Sequence, residues 1–297
     1  MGASRRGALL LCACLAACSG SKAPSHVTVG IVGPPQSVAV AGAAQRCGLV
    51  TGVTVTQSDA GSGADAQRAL DAMAVRNVDE IVAVGPLAAH ALWVTARAYP
   101  RRHFAEIGAV VKQPNVTSVE FRDDEGAYLA GAFAALAAAG KPVAFLGSPG
   151  ADSVAAQERG FAAGAREGDP RSAVVPGEVE AGGRAAFETA LRPARARGAA
   201  LAYVASGDGG GALYALGQGQ PRLVFSVARS DDAAVQRICE NAVSQKPVSG
   251  VLRLGVAEGA IAVGGSESAL APAERARFDV IRHAFERRRP AQTPAPG

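Results

Sequence analysis

Short apolar runs of strand character alternate with helical stretches along nearly the whole chain, and this alternation limits the fold more than any other feature. Val27 to Val32 reads as a strand and Ser37 to Leu49 as a helix. Val53 to Gln57, Glu80 to Val84 and His103 to Ile107 read as further strands, separated by the helices Gly63 to Val75 and Ala88 to Ala98. In the helix Gly63 to Val75, Ala66, Ala69, Leu70 and Met73 fall on one face. A second series follows: helix Asp124 to Ala138, strand Pro142 to Leu146, helix Ser153 to Arg166, strand Arg171 to Val175, helix Arg184 to Ala196 and strand Ala200 to Ala205. Gly210 to Leu216 reads as a short helix, Leu223 to Val227 as a strand and Asp231 to Ser244 as a helix. Two strands, Val251 to Leu254 and Ala260 to Val263, precede a last amphipathic helix, Ala271 to Arg287. Regular alternation of this kind predicts parallel sheets with helices on both faces. The expected fold class is α/β, with two lobes, each a parallel sheet flanked by helices.

The first residues read differently. Arg5 and Arg6 precede a short apolar run, Gly7 to Ala17, which ends in Leu15-Ala16-Ala17-Cys18. The run is too short for a stable membrane-spanning helix and has the pattern of a signal peptide over residues 1–17. A cysteine at the cleavage point is the bacterial lipoprotein pattern, with Cys18 lipid-modified. The alternative is an ordinary secretory cleavage site beside an incidental cysteine. Residues 18–26 then form anchor and tether, and the Pro-rich tail 288–297 is expected to be disordered.

About 280 residues remain after the signal, more than one core usually organises. A formal charge of +4 is mild, and Arg101-Arg102 and Arg287 to Arg289 lack interleaved aromatics, so no nucleic-acid partner is expected. Cys12 and Cys14 leave with the signal. Cys47 and Cys239 remain, either a disulfide in an oxidising compartment or two buried thiols. His26, His90, His103 and His283 show no ligand spacing, so neither metal nor cofactor is expected. No G-x-S-x-G, Walker A or H-E-x-x-H motif occurs, and an enzyme is not expected. Asp123-Asp124-Glu125 reads as a helix start whose acids complement the dipole.

Val78-Asp79-Glu80-Ile81-Val82-Ala83-Val84-Gly85, then Ala96-Arg97-Ala98-Tyr99-Pro100 and Phe104, resemble the basic membrane protein family. Asn115 to Arg122 leading into Glu125-Gly126-Ala127-Tyr128-Leu129-Ala130-Gly131 is similar as well, as are Lys141 to Gly147 and Gly160 to Ala165. Phe225-Ser226-Val227-Ala228-Arg229 and Gly250 to Gly255 also fit. The resemblance implies a type I periplasmic-binding-protein-like fold, two lobes closing on a ligand. It implies a lipid-anchored solute-binding protein of an ABC importer, facing the periplasm, with a small polar, nucleoside-like ligand and an ABC permease as partners. Lobe 1 is placed at 27–120 with 228–254, and lobe 2 at 121–227 with 255–287. A monomer is expected. In this fold Cys47 and Cys239 lie on helices packed on the same face, about 4.4–6.8 Å apart at Cα if bonded.

Ligands in open α/β sheets bind beyond the carboxyl ends of strands, often between domains. That places Gln36, Ser37, Gly85, Pro86, Gly207, Asp208, Ser226 and Arg229 as candidate ligand contacts in the cleft. Glycines in Ser206-Gly207-Asp208-Gly209-Gly210-Gly211 either bring backbone N–H groups to a ligand or only turn the chain. Asp208 is explained equally by turn chemistry.

The departures from the family pattern are specific. Gly33-Pro34-Pro35-Gln36-Ser37 is shorter than the family loop and lacks its Asp and Phe, with Gln36 where Asn would stand. Gly108 replaces an Asp after Ile107, and a late strand with its acids is expected to be deleted around Leu216 to Pro221. Arg229 stands where the family has a basic ligand contact. A lost base stack is worth roughly 1–3 kcal/mol and a lost hydrogen bond to a charged group roughly 1.5–3 kcal/mol. Together they weaken binding by on the order of 10²- to 10⁴-fold. The competing expectation is therefore a degenerate relative acting as a sensor or envelope interaction protein without transport.

Overall fold

A computed structural model describes residues 26–180, 183–244 and 249–287. The predicted signal peptide, the lipidation site Cys18, nearly all of the tether and the tail 288–297 lie outside the described residues. Elements are numbered in chain order. The first sheet contains β1 (Val27–Gly33), β2 (Val53–Asp59), β3 (Glu80–Val84), β4 (His103–Ile107), β5 (Val116–Phe121) and β11 (Gly250–Leu254). Its order is β11-β5-β4-β3-β1-β2, and every neighbouring pair is parallel. The helices of this lobe are α1 (Val38–Gly48), α2 (Gly63–Val75), α3 (Ala89–Ala98) and α7 (Asp231–Val243). Ser37 starts α1 by accepting the Val40 N–H, and Ser62 starts α2 by accepting that of Asp65, each satisfying one of the orphan donors of a helix end.

The second sheet contains β6 (Val143–Gly147), β7 (Val174–Glu178), β8 (Leu201–Ala205), β9 (Gly211–Ala215), β10 (Arg222–Arg229) and β12 (Ile261–Gly265). Its order is β12-β10-β9-β8-β6-β7. It is served by α4 (Asp123–Ala138), α5 (Asp152–Gly168), α6 (Gly183–Ala196) and α8 (Pro272–Glu286). Here β6 pairs parallel with β7 and β8, whereas β8–β9, β9–β10 and β10–β12 are antiparallel. The two-lobed α/β class holds, with one sheet parallel and one mixed. The short helix expected at Gly210 to Leu216 is a strand instead. A five-residue apolar run carries no period that separates helix from strand. Wedged between β8 and β10, its backbone N–H and C=O groups are satisfied on both sides, which a short helix there would not achieve. β5, read only as a family motif, is a full strand beside β4 and β11.

Two features hold the lobes in form. α1 and α7 lie side by side and are joined by the Cys47–Cys239 disulfide, with a Cα separation of 5.7 Å and both cysteines fully buried. Because α7 belongs to the part of lobe 1 that returns after lobe 2, the bond ties together segments 192 residues apart. In lobe 2, α4 is buried along almost its whole length and meets α5 at backbone distance. Gly160, Gly164 and Gly168 line the contact at helical spacing, and a Cβ on Gly164 would stand only 1.9 Å from the Tyr128 carbonyl oxygen. Small residues on one stripe let two helices approach until side chains elsewhere, such as Phe161 and Phe133, fill the layers around them.

Candidate functional site

The carboxyl ends of β1 to β4 in one lobe and of β6 to β8 in the other carry the loops expected to face a ligand. Three chain crossings join the lobes beside them: β5 into α4, β10 into α7, and β11 into β12. The crossings brace one another. Arg122 N–H donates to the Leu254 carbonyl at 2.8 Å, and Ser230 N–H donates to that of Ala260 at 2.9 Å. The Arg122 guanidinium donates to Glu125 at 2.8 Å and to Glu258 at 3.3 Å. Glu125 also accepts the Val256 N–H at 2.9 Å, and Glu258 accepts that of Gly255 at 2.6 Å.

Arg229, at the end of β10, was the expected basic ligand contact. Its Nε donates to Asp123 Oδ1 at 2.8 Å and its Nη2 to Oδ2 at 2.5 Å. Its guanidinium also lies over the Phe121 ring, 5.0 Å from the centroid. Burial opposes the charge, but the hydrogen bond and charge of Asp123, helped by Asp208 and Asp231, hold the guanidinium above its ordinary pKa. Asp123 is 5% exposed. The acid at the helix start is thus a buried counter-ion, not merely a helix cap. No sequence signal joined two residues 106 positions apart.

The glycine run after β8 is a hairpin turn into β9. Ser206 N–H donates to the Gly210 carbonyl at 2.8 Å, and Asp208 accepts the Gly210 N–H at 3.0 Å. α5 fixes the turn from below: Gln157 Nε2 donates to the Ser206 carbonyl at 2.9 Å, and the Ser153 hydroxyl donates to that of Gly207 at 2.8 Å. Tyr203 donates to Gln157 Oε1 at 3.0 Å. Gly209 has φ +87, and a Cβ there would stand 2.2 Å from Arg229 Nε. Glycine is therefore needed so that the turn can close over the Arg229–Asp123 pair. The Gly210 N–H first, then the Ser206 hydroxyl and Arg229, hold the Asp208 carboxyl below its usual range despite partial burial. Burial raises Asp231, opposed by Arg229.

The other expected contacts divide. Gln36, at φ +54, is exposed at the tip of the first loop. The Ser37 hydroxyl is engaged as the α1 cap. Gly85 donates its N–H to the Ile107 carbonyl at 2.8 Å, and Pro86 begins a single 3₁₀ turn ahead of α3. Gly85 and Gly108 approach so closely that a Cβ on Gly108 would meet Gly85 Cα at 3.4 Å. These residues line the lobe 1 side. Gly207, Asp208 and Arg229 gather at the lobe 2 side. Ser226 is set apart: it sits in mid-β10, in register with Ala212 and Gly264, three residues below Arg229. A cavity of about 470 Å³ opens at the ends of β6 and β7, walled by Ser148, Pro149, Gly150, Glu158 and Glu178 among others, all from lobe 2. None of the eight expected contacts lines it.

Two buried acids escaped the sequence reading: Glu106 interrupts the apolar run of β4, and Glu80 begins β3. Glu106 is fully buried one residue before the end of β4, in register with Ala83 and Ser118. Neither of its carboxyl oxygens has a hydrogen-bond partner among the described residues, and burial raises its pKa to about 9. Glu80, at the start of β3, is raised to about 8 by burial. Among the described residues no group of three or more His, Cys, Asp or Glu could hold a metal ion.

The two-lobed α/β architecture is shared with solved structures of low sequence identity. A transcriptional activator of the comK gene from Bacillus halodurans has the same fold at TM-score 0.68 and 18% identity, covering 88% of this chain and 98% of that one. An ABC transporter solute-binding protein from Conexibacter woesei does so at TM-score 0.62 and 18% identity, covering 89% and 98%. Residues 40–181 match the family model Bmp, described as ABC transporter substrate-binding protein, PnrA-like. The resemblance to the basic membrane protein family is borne out over that stretch, a family of binding proteins and not of enzymes. The chain is also 32% identical over 136 residues to the ABC transporter nucleoside-binding protein BmpA of Lactococcus lactis subsp. cremoris. That match covers 46% of this chain and 36% of the relative, little more than a third of its length. No described helix is long and apolar enough to cross a membrane.

Proposed function

We propose that this chain is an extracytoplasmic solute-binding protein, anchored through lipid on Cys18 and serving an ABC importer. Its ligand is a small polar molecule held between the lobes by Gln36, the Gly85-Pro86 turn, Gly207 and Asp208. The observation that carries this reading is the engagement of Arg229 by Asp123. With that guanidinium internally neutralised and one face of Phe121 covered by it, the cleft side of lobe 2 offers, among the described residues, an acid and backbone groups, but neither a free cation nor an open aromatic face. Hydroxyl-rich or amine-bearing solutes suit such a surface better than a base that must be stacked. The nucleoside preference of the relatives is therefore expected to be weak here.

The test is a thermal shift of the chain against nucleosides, sugars, polyols and amines. A ligand at about 100 times its dissociation constant adds about 2.7 kcal/mol, which raises the melting temperature of domains this size by roughly 5–10 °C. A shift with polyols or amines, lost on Asp208→Ala, supports the reading. A shift confined to purine nucleosides contradicts the ligand class. The same internal pairing of Arg229 favours a second reading, a sensor or envelope interaction protein without transport, and silence across the whole panel supports that one.

A further inference from the structure

The base of lobe 1 holds a cavity that binding in the cleft does not use. All strands of this sheet run parallel, so their amino ends lie at the pole opposite the cleft. A cavity of about 210 Å³ opens there, at the starts of β3, β4, β5 and β11. Glu80 and His103 line it and stand in register as the first residues of β3 and β4, so both side chains leave the sheet on the same face. Asn115 lines it too and is held firmly. Its backbone carbonyl accepts the Phe104 N–H at 3.0 Å, and its amide nitrogen donates to the carbonyls of Ala96, Tyr99 and Arg102 at 3.0, 3.2 and 3.0 Å. With that nitrogen spent, the Asn115 side chain has only an acceptor oxygen left to offer. Pro100, Pro114 and Phe104 add apolar wall.

Glu80 is 6% exposed, and burial alone acts on its carboxyl: no described residue donates a hydrogen bond to it or pairs with its charge. A buried carboxyl ordinarily meets donors or a cation. The protein supplies neither here. Arg101, Arg102 and Lys112 are near in sequence but do not line the cavity, and the neighbouring Asp79 is engaged by the Thr28 N–H at 2.8 Å. Among the described residues no three side chains gather to hold a metal ion. The space is also larger than a bare ion needs, since a cavity of about 150 Å³ already admits benzene. Acceptors at one place and apolar rings at another suit a molecule with a cationic head and a short hydrocarbon body. From this geometry we infer that the base of lobe 1 is a second ligand site, which takes a small alkylammonium ion. The Glu80 carboxylate meets the nitrogen, with the Asn115 oxygen and neutral His103 as further acceptors, and Pro100, Pro114 and Phe104 cover the carbon chain. The site is separate from the cleft, and the inference does not rest on the function proposed above.

The experiment is isothermal titration of the purified full chain with n-butylammonium chloride, against sodium chloride at matched ionic strength and against neutral n-butanol. Saturable binding of n-butylammonium, and none of n-butanol, is the expected result. Glu80→Gln keeps the volume but removes the charge, and should weaken binding by about tenfold or more. Asp208→Ala, in the cleft, should leave this binding in place. The amine stays charged below about pH 10, whereas Glu80, raised to about 8, must lose its proton to meet it. Close to one proton is therefore released per ligand at pH 7, and affinity rises by about tenfold from pH 6 to pH 7. His103, the other ionisable group lining the cavity, opposes a cation only when protonated and so acts in the same direction. Repeating the titration in buffers of different ionisation enthalpy counts the proton. That count decides the matter on the parent protein even where circular dichroism shows that Glu80→Gln fails to fold. No saturable binding, equal uptake of n-butanol, equal binding by folded Glu80→Gln, or no released proton overturns the inference. Stabilisation by Zn²⁺ alone, lost on Glu80→Gln, overturns the alkylammonium class. Binding lost on Asp208→Ala and kept on Glu80→Gln places the amine in the cleft, which refutes the second site and leaves the proposed function standing.

Discussion

Replacing Glu106 with glutamine should change how stability depends on pH. In the fold the Glu106 carboxyl is raised to about 9 by burial, against an ordinary value of 4.5. Between those values the folded protein keeps a proton that the unfolded chain releases, so stability falls as pH rises. It is fully present below about pH 4.5 and lost progressively up to about pH 9. The slope approaches about 1.4 kcal/mol per pH unit, and the loss between pH 5 and pH 8 comes to about 4 kcal/mol. Glutamine cannot ionise and fills nearly the same volume. Any constant cost of its buried amide, about 1–3 kcal/mol, cancels when the two pH values are compared. The contribution of Glu80, raised to about 8, is common to both proteins and cancels too. Urea unfolding followed by circular dichroism at pH 5 and pH 8 measures the difference. The variant should lose about 4 kcal/mol less than the parent protein over this interval. Parallel pH profiles would show that Glu106 is solvated or paired, and the argument from its two unpartnered oxygens would fail.

Asp123→Ala leaves Arg229 without its bidentate partner under the Gly209 turn and should cost about 3 kcal/mol, read as a fall in the denaturant midpoint. Were Arg229 instead a ligand contact, Asp123→Ala would leave stability nearly unchanged and alter binding alone. Gly164→Ala places a Cβ against the Tyr128 carbonyl oxygen and must separate α4 from α5, with an expected loss of about 2–3 kcal/mol. The exposed glycine Gly140, where an added Cβ meets nothing within 4 Å, does not feel that contact, and a calorimetric scan of Gly164→Ala alone tests it.

The pattern of apolar runs, Val27 to Val32, Glu80 to Val84 and His103 to Ile107 among them, was enough to fix the α/β class and the positions of most strands. Burial on both faces of a parallel sheet writes itself into sequence as continuous apolar segments. Helix starts are also set locally, since Ser37 and Ser62 cap through their own side chains, although the sequence reading placed Ser37 among the ligand contacts and did not single out Ser62. Cys47 and Cys239, left open by the residues alone as a disulfide or two buried thiols, could be set side by side only through the fold that the family resemblance implied. What the sequence left open depended on neighbours distant along the chain. Gly211 to Ala215 is compatible with helix or strand, and only the slot between β8 and β10 made it a strand. Arg229 looks the same in sequence whether it waits for a ligand or is already held by Asp123. Local residues set dihedral preferences and periodicity, but a charge finds its partner and a short apolar run finds its ladder only when the chain brings them together.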